Sequence, residues 1–323
     1  MSYLLRRFGH AVFLLIGVSL LAFVFTVLAP GNYFDEMRLN PQIAPETIRA
    51  LRSQYELDRP LPIRYLHWVG SVLRGDMGFS FAYNSAVAPL LLVRARNTLL
   101  LTVTAMLLAW GIALPLGIWS AEHQGGVPDR VVSLGTAALM VIPDLALALG
   151  FLVLAVKSGW FPTGGMVSLH FESLSFLGKI RDLLLHMALP VAVLVLSVLP
   201  VLVRHVRAAI LEVLNAPFLL AAEGHGIPRL TLLYRYALQA VANPLISLLG
   251  FSIGTLLSGS LLVEVVMSWP GLGPFLLEAI LARDLFVVIG GVLLSTLFLV
   301  GGNFLADLVL YWTDPRIRTE AGT

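Results

Sequence analysis

Six stretches of this 323-residue chain each run for at least 17 residues, and among them they carry a single Asp, Glu, Lys or Arg, which is Asp144. That pattern limits the fold more than any other feature. A bilayer core of about 30 Å needs about 20 apolar helical residues, with about 17 to 25 tolerated. The stretches are Ala11–Leu28, Thr98–Ala121, Val131–Val156, Met187–Val203, a segment within Tyr236–Val263, and Leu285–Ala306. They are continuous rather than alternating, so each predicts a helix and none a barrel strand. The expected fold class is therefore an all-α integral membrane protein with six transmembrane helices.

Composition agrees. Apolar residues make up 58% of the chain and charged residues 12%, against about 45–50% and about 25% in soluble domains. A disordered chain, a collagen and a cytosolic globule are excluded, and the lack of Cys excludes a disulfide-stapled secreted domain. Arg6 and Arg7 precede the first stretch as they would in a signal peptide. Its 18-residue apolar run exceeds the roughly 7 to 15 of a signal core, so it reads as a retained anchor. No basic stripe exists on which nucleic acid would bind.

Orientation follows from positive charge in the short loops. With the N-terminus cytoplasmic, the inner side holds nine basic residues (Arg6, Arg7, Arg130, Arg204, Arg207, Arg229, Arg235, Arg316 and Arg318) and the short outer loops hold four (Lys157, Lys179, Arg181 and Arg283). Both termini are expected in the cytoplasm. Residues 1–28 then form the N-terminal end and first helix, 29–97 an extracytoplasmic segment, 98–318 a five-helix core, and 319–323 a cytoplasmic tail.

The 29–97 segment is too long for a structureless loop. Pro45 suits a first helical turn, and Ile48, Leu51 and Tyr55 follow on one face. Tyr65, Leu66, Val69, Val72 and Leu73 form a second stripe, which Gly75-Asp76-Met77-Gly78 ends. This predicts a small, mostly helical cap between the first two spans. A second polar stretch, 204–235, contains Ala221-Ala222-Glu223-Gly224-His225-Gly226-Ile227-Pro228. Small side chains there let a short helix and turn approach a partner closely.

Enzymatic chemistry is missing. The two lysines fit no phosphate-binding Gly-rich loop, and no His-Glu-x-x-His or Gly-x-Ser-x-Gly occurs. The seven histidines are scattered. No catalytic residue and no metal site is expected. Asp144 lies in mid-span after Pro143, where a carboxylate costs about 2.5–3.5 kcal/mol on insertion scales. It reads either as a polar group on a solvated pathway or as a cap on a helix broken at Pro143. Glu264, near the outer end of the fifth span, reads as hydrogen-bonded to the turn that follows.

Several stretches in order carry a resemblance. Tyr3-Leu4-Leu5-Arg6-Arg7, Gly17-Val18-Ser19-Leu20-Leu21 and Leu28-Ala29-Pro30-Gly31 open the chain. Leu57-Asp58-Arg59-Pro60-Leu61-Pro62 and Leu73-Arg74-Gly75-Asp76-Met77-Gly78-Phe79-Ser80 follow. Glu264-Val265-Val266-Met267-Ser268-Trp269-Pro270-Gly271-Leu272-Gly273 is the most specific, and Asn303, Asp307 and Asp314-Pro315-Arg316-Ile317-Arg318 close the chain. Together they resemble the first of the two permease subunits in bacterial ATP-binding cassette importers for peptides and nickel, over nearly the whole sequence.

The resemblance implies the type I importer permease fold, with Trp269, Pro270, Gly271 and Gly273 as family-motif positions. It implies that Ala221, Ala222, Glu223, Gly224, His225 and Gly226 form the loop that docks a coupling helix in the ATPase, although His225 and Pro228 depart from the family pattern. It implies as partners a second permease, two ATPases that bind ATP and Mg, an external substrate-binding protein and membrane lipid, with no cofactor in this chain. The expected location is the bacterial inner membrane. The cargo is open among a dipeptide, a longer peptide, glutathione, a nickel chelate and a modified sugar. An ion-coupled secondary transporter and a membrane-embedded hydrolase are the rival readings; the former would usually show an internal repeat, and none is visible.

Overall fold

The computed structural model describes residues 2–28, 44–54 and 58–313. The helices are α1 (Ser2–Leu28), α2 (Pro45–Gln54) and α3 (Leu61–Val72), then α4 (Val87–Glu122), α5 (Val127–Val141) and α6 (Asp144–Ser158). They continue with α7 (Phe176–Leu214), α8 (Pro217–Gly224), α9 (Ala242–Val266), α10 (Leu272–Leu281) and α11 (Leu285–Thr313). Strands β1 (Phe79–Ser80) and β2 (Ser85–Ala86) form an antiparallel hairpin ahead of α4. Ala29, Pro30, Gly31, Tyr55, Leu57, the ending Asp314–Arg318 and the tail 319–323 lie outside the described residues.

By length and composition, α1, α4, α7, α9 and α11 are each able to cross a membrane, and α5 with α6, bent by 96° between them, has the length and apolarity of a sixth if the pair is one broken span. The break falls at Ile142-Pro143, because Pro143 has no N–H to continue the α5 ladder and pushes Ile142 into an extended conformation (ψ 117°). The third span therefore differs from a continuous Val131–Val156 helix. Two helices also outrun their apolar stretches: α4 has 36 residues and α7 has 39, about 54 and 58 Å at 1.5 Å per residue. Charge-free runs underestimate them because a helix continues past Arg94, Arg96 and Lys179 once its ends leave the bilayer. The boundaries set at 97/98 and 204 consequently fall inside α4 and α7.

The chain divides into two compact units, one of Met1–Phe8, Leu99–Trp269 and Gly301–Thr323, the other of Gly9–Thr98 and Pro270–Val300. In the first unit α7 is the hub. In its most apolar window 67% of residues are buried, against 33% in α9, and it packs against α5, α6 and α9. Pro190 and Pro200 are accommodated inside it. Small residues set the close crossings, as expected where lipid offers no hydrophobic drive between helices. A Cβ on Gly117 of α4 would lie 2.6 Å from Val206 of α7, and one on Gly302 of α11 would lie 2.6 Å from Ile253 of α9.

In the second unit α3 lies along α1. Tyr65 Oη is 2.9 Å from Ser19 Oγ, and its ring meets Phe23 edge-on with centroids 5.5 Å apart. Ile48 of the α2 stripe is buried, and so is Trp68. The hairpin is a correction to the mostly helical cap: strands of two residues are too short to leave an alternating pattern. Asp284 anchors it, since one carboxylate oxygen accepts from Ser80 Oγ at 2.7 Å and from the Ala82 backbone N–H at 3.1 Å. Tyr83 donates to Glu278; burial, and then that bond, push its phenol up to about 12. The hydroxyl accordingly stays a donor at physiological pH.

Candidate functional site

The polar stretch after α7 folds into a short helix held in one orientation. Asn215 and Ala216 end α7, and Pro217, which needs no N–H partner in a first turn, starts α8. Leu219 points inward and is 3% exposed, while Phe218 and Leu220 are 50% and 54% exposed. At the C-terminal end the Gly226 N–H donates to Glu223 O (2.9 Å) and the Ile227 N–H to Ala222 O (3.3 Å). This is the Schellman pair, and it requires a left-handed residue after the cap. Gly226 supplies it with φ +79°.

Ala221, Glu223, Gly224, His225 and Gly226 are exposed, and Ala222 is half-buried. His225 Nδ1 sits 2.6 Å from Ala221 O, so the ring folds back on its own helix. Arg229 reaches Glu223 at 3.3 Å and Glu122, the last residue of α4, at 3.6 Å. The chain then winds as a π-helix over Leu232–Ala237, with Leu232, Leu233 and Ala237 buried. Leu230, Tyr234 and Tyr236 stay exposed, so α8 and the segment after it present apolar side chains outward.

A second polar centre lies among α4, α5 and α7, and sequence reasoning did not find it. Arg207 grips Asp129 with two bonds, Nε to Oδ1 at 2.6 Å and Nη2 to Oδ2 at 2.8 Å. Ser120 Oγ donates to Oδ1 at 2.7 Å and the Gly125 N–H to Oδ2 at 2.9 Å. Asp129 is 5% exposed. A buried carboxylate is tolerated when its lone pairs are satisfied this fully. The signal available was an arginine among the apolar residues that follow Arg204 in α7.

The Trp269 motif is a turn after α9. The Trp269 N–H donates to Glu264 O at 2.8 Å and the Gly165 N–H to Met267 O at 3.1 Å. Glu264 and Trp269 are both fully buried. The bond from Glu264 to the following turn is thus made by its backbone carbonyl. In the other unit, Asn97 Nδ2 donates to Pro270 O and Thr98 Oγ1 accepts from the Leu272 N–H, each at 2.8 Å. Gly271 precedes α10, and Gly273 is buried within it.

Asp144 is the first residue of α6, exposed, and caps no helix N–H with its side chain. The structure does not bring it to α8. Among the described residues no three His, Asp or Glu side chains gather as a metal-ligand group.

Residues 113–319 match the profile of the binding-protein-dependent transport system inner membrane component, and residues 1–102 match the profile of that family's N-terminal part. The chain belongs to this family. It is a multi-pass transmembrane permease of an ATP-binding cassette importer. This permease is 31% identical over 319 residues to the oligopeptide transport system permease AppB of Bacillus subtilis, covering 98% of this chain and 99% of that one. It is 32% identical over 344 residues to the dipeptide transport system permease DppB of Escherichia coli K12, with the same coverage. A chain of the inward-facing MetNI methionine transporter shares the fold at a TM-score of 0.57 and 18% identity, over 70% of the permease and 96% of that chain.

Proposed function

We propose that this permease is a non-catalytic half of a heterodimeric pathway that imports peptides across a bacterial inner membrane. It would work with a second permease, two ATPases that bind ATP and Mg, and an external binding protein. The observation that carries the reading is similarity along almost the full length to permeases named for oligopeptides and dipeptides. Missing nucleotide and nucleophile motifs support a chain that makes and breaks no bonds.

The Ala221–Gly226 loop is the coupling element in this reading. Its exposed Phe218 and Leu220 face a partner groove while Leu219 fixes the helix to the core. A push on α8 passes through the two-residue link Asn215-Ala216 into α7, and through the π-helical segment into α9. Because α7 also packs on α5 and α6, its displacement moves four helices together. ATP binding then biases a bistable helix packing rather than any chemical step.

Proteoliposomes holding the permease with its partners should accumulate radiolabelled dialanine only with ATP inside and an active ATPase. Uptake driven by a proton or sodium gradient without ATP would instead favour the ion-coupled reading. Gly226→Val tests the loop: a left-handed β-branched residue costs at least about 1–2 kcal/mol, although no atom lies within 4 Å of the added Cβ. Binding-protein-stimulated hydrolysis should fall about tenfold with membrane insertion intact, and Gly226→Asn should retain most of it. Normal coupling in Gly226→Val would show that the loop is assigned wrongly.

A further inference from the structure

The strongest unexplained feature is where the third span breaks. Ile142 and Pro143 leave the helix near the middle of a 32-residue crossing, and Ile142, Pro143 and Asp144 are all exposed on this chain. The neighbours fix the depth. Asp144 Oδ2 lies 3.7 Å from where a Cβ on Gly259 would stand, and Leu194 Cδ2 lies 4.0 Å from that same point. Leu194 sits near the midpoint of the 39-residue α7.

Two independent costs therefore coincide level with the midpoint of α7. Irregular backbone within the bilayer persists only against protein or a watery cavity, and a carboxylate there obeys the same rule. The carboxylate makes no hydrogen bond or ion pair with any described residue, and its place in the first turn of α6 gives it only the favourable end of the helix dipole. The adjoining surface of α9 also carries polar groups. Thr255 and Ser258 are exposed there, and Thr255 Oγ1 spends its proton on Phe251 O at 3.1 Å, leaving its lone pairs outward. The result is an exposed carboxylate beside exposed hydroxyl acceptors.

We propose that Asp144 lines the translocation pathway and accepts the ammonium group of a peptide's free N-terminus in transit. A carboxylate there suits a cation and repels another carboxylate, so the peptide's amino end and not its carboxyl end dwells beside it. A site of this kind holds cargo between release by the binding protein and exit. The inference rests on the peptide reading above, and its tests separate the two.

In the complete transporter, Asp144→Asn should assemble in normal yield and show normal binding-protein-stimulated ATP hydrolysis. Its dialanine uptake should fall about tenfold, the loss expected when one charge-assisted hydrogen bond disappears. Asp144→Glu should restore much of the uptake. The chain has no Cys, so Asp144→Cys gives a clean second measurement: a hydrophilic thiol reagent should modify it, and dialanine delivery should slow the modification. Dialanine uptake by Asp144→Asn within twofold of wild type overturns the proposal, as does an Asp144→Cys thiol that stays unmodified. Loss of assembly in Asp144→Asn matching its loss of uptake also overturns it and assigns Asp144 to a subunit contact. If the wild-type transporter takes up neither dialanine nor other short peptides, the peptide reading falls, and the ammonium assignment falls with it.

Discussion

Asp129 shows how much one buried carboxylate organises. Its four hydrogen bonds tie the last turns of α4, the turn at Gly125, the start of α5 and α7 into one junction. The junction holds the C-terminal third of α7, the helix that α8 follows across Asn215-Ala216. The Arg207 side chain is 28% exposed, which lowers the cost of removing one partner to about 2–3 kcal/mol, below the about 3–5 of a fully buried pair. Asp129→Leu and Arg207→Leu should each lower the melting temperature of the purified complex. The double substitution should lose less than the sum, because it strands no charge. Strictly additive losses in that cycle would mean that the pair is not coupled.

Among the elements, the α4–α7 crossing offers a direct test of packing. At Gly117 the neighbours are Val206, at 2.6 Å from an added Cβ, and the Val203 carbonyl oxygen at 3.1 Å, a backbone atom with little freedom to yield. Gly111 on the same helix has nothing within 4 Å. Gly117→Leu should therefore destabilise by about 1–3 kcal/mol, the usual cost of overpacking, whereas Gly111→Leu should be close to neutral. Comparing the thermal inactivation of the two purified variants checks this. Equal behaviour would show that the crossing gives way freely.

For the molecule as a whole, the open question is which face is which. The nine-to-four distribution of basic residues over the short loops favours cytoplasmic termini, with α2 and α3 on the outside. Ser53 is exposed on α2, and a Cys placed there is the only thiol in the chain. Ser53→Cys should react with a membrane-impermeant maleimide added outside intact cells. Reaction from the cytoplasmic side alone would invert the topology.

The sequence by itself determined the membrane class, the apolar runs that become five long helices and one broken pair, the family, and the short helix and turn ending at Gly226. Each of these rests on local chemistry: unbroken apolar runs, a Gly where only a left-handed residue closes a helix, and a motif contiguous in the chain. Pro143 even marked the break in the third span, though its 96° bend came from packing. Tertiary structure alone decided what depends on residues far apart. Asp129 with Arg207 and Asp284 with Ser80 are separated by 78 and 204 positions, and no periodicity links partners that meet only when helices cross. The ends of α4 and α7 were hidden for a related reason. Hydropathy reports where lipid stops, and a helix stops only where its backbone hydrogen bonds do.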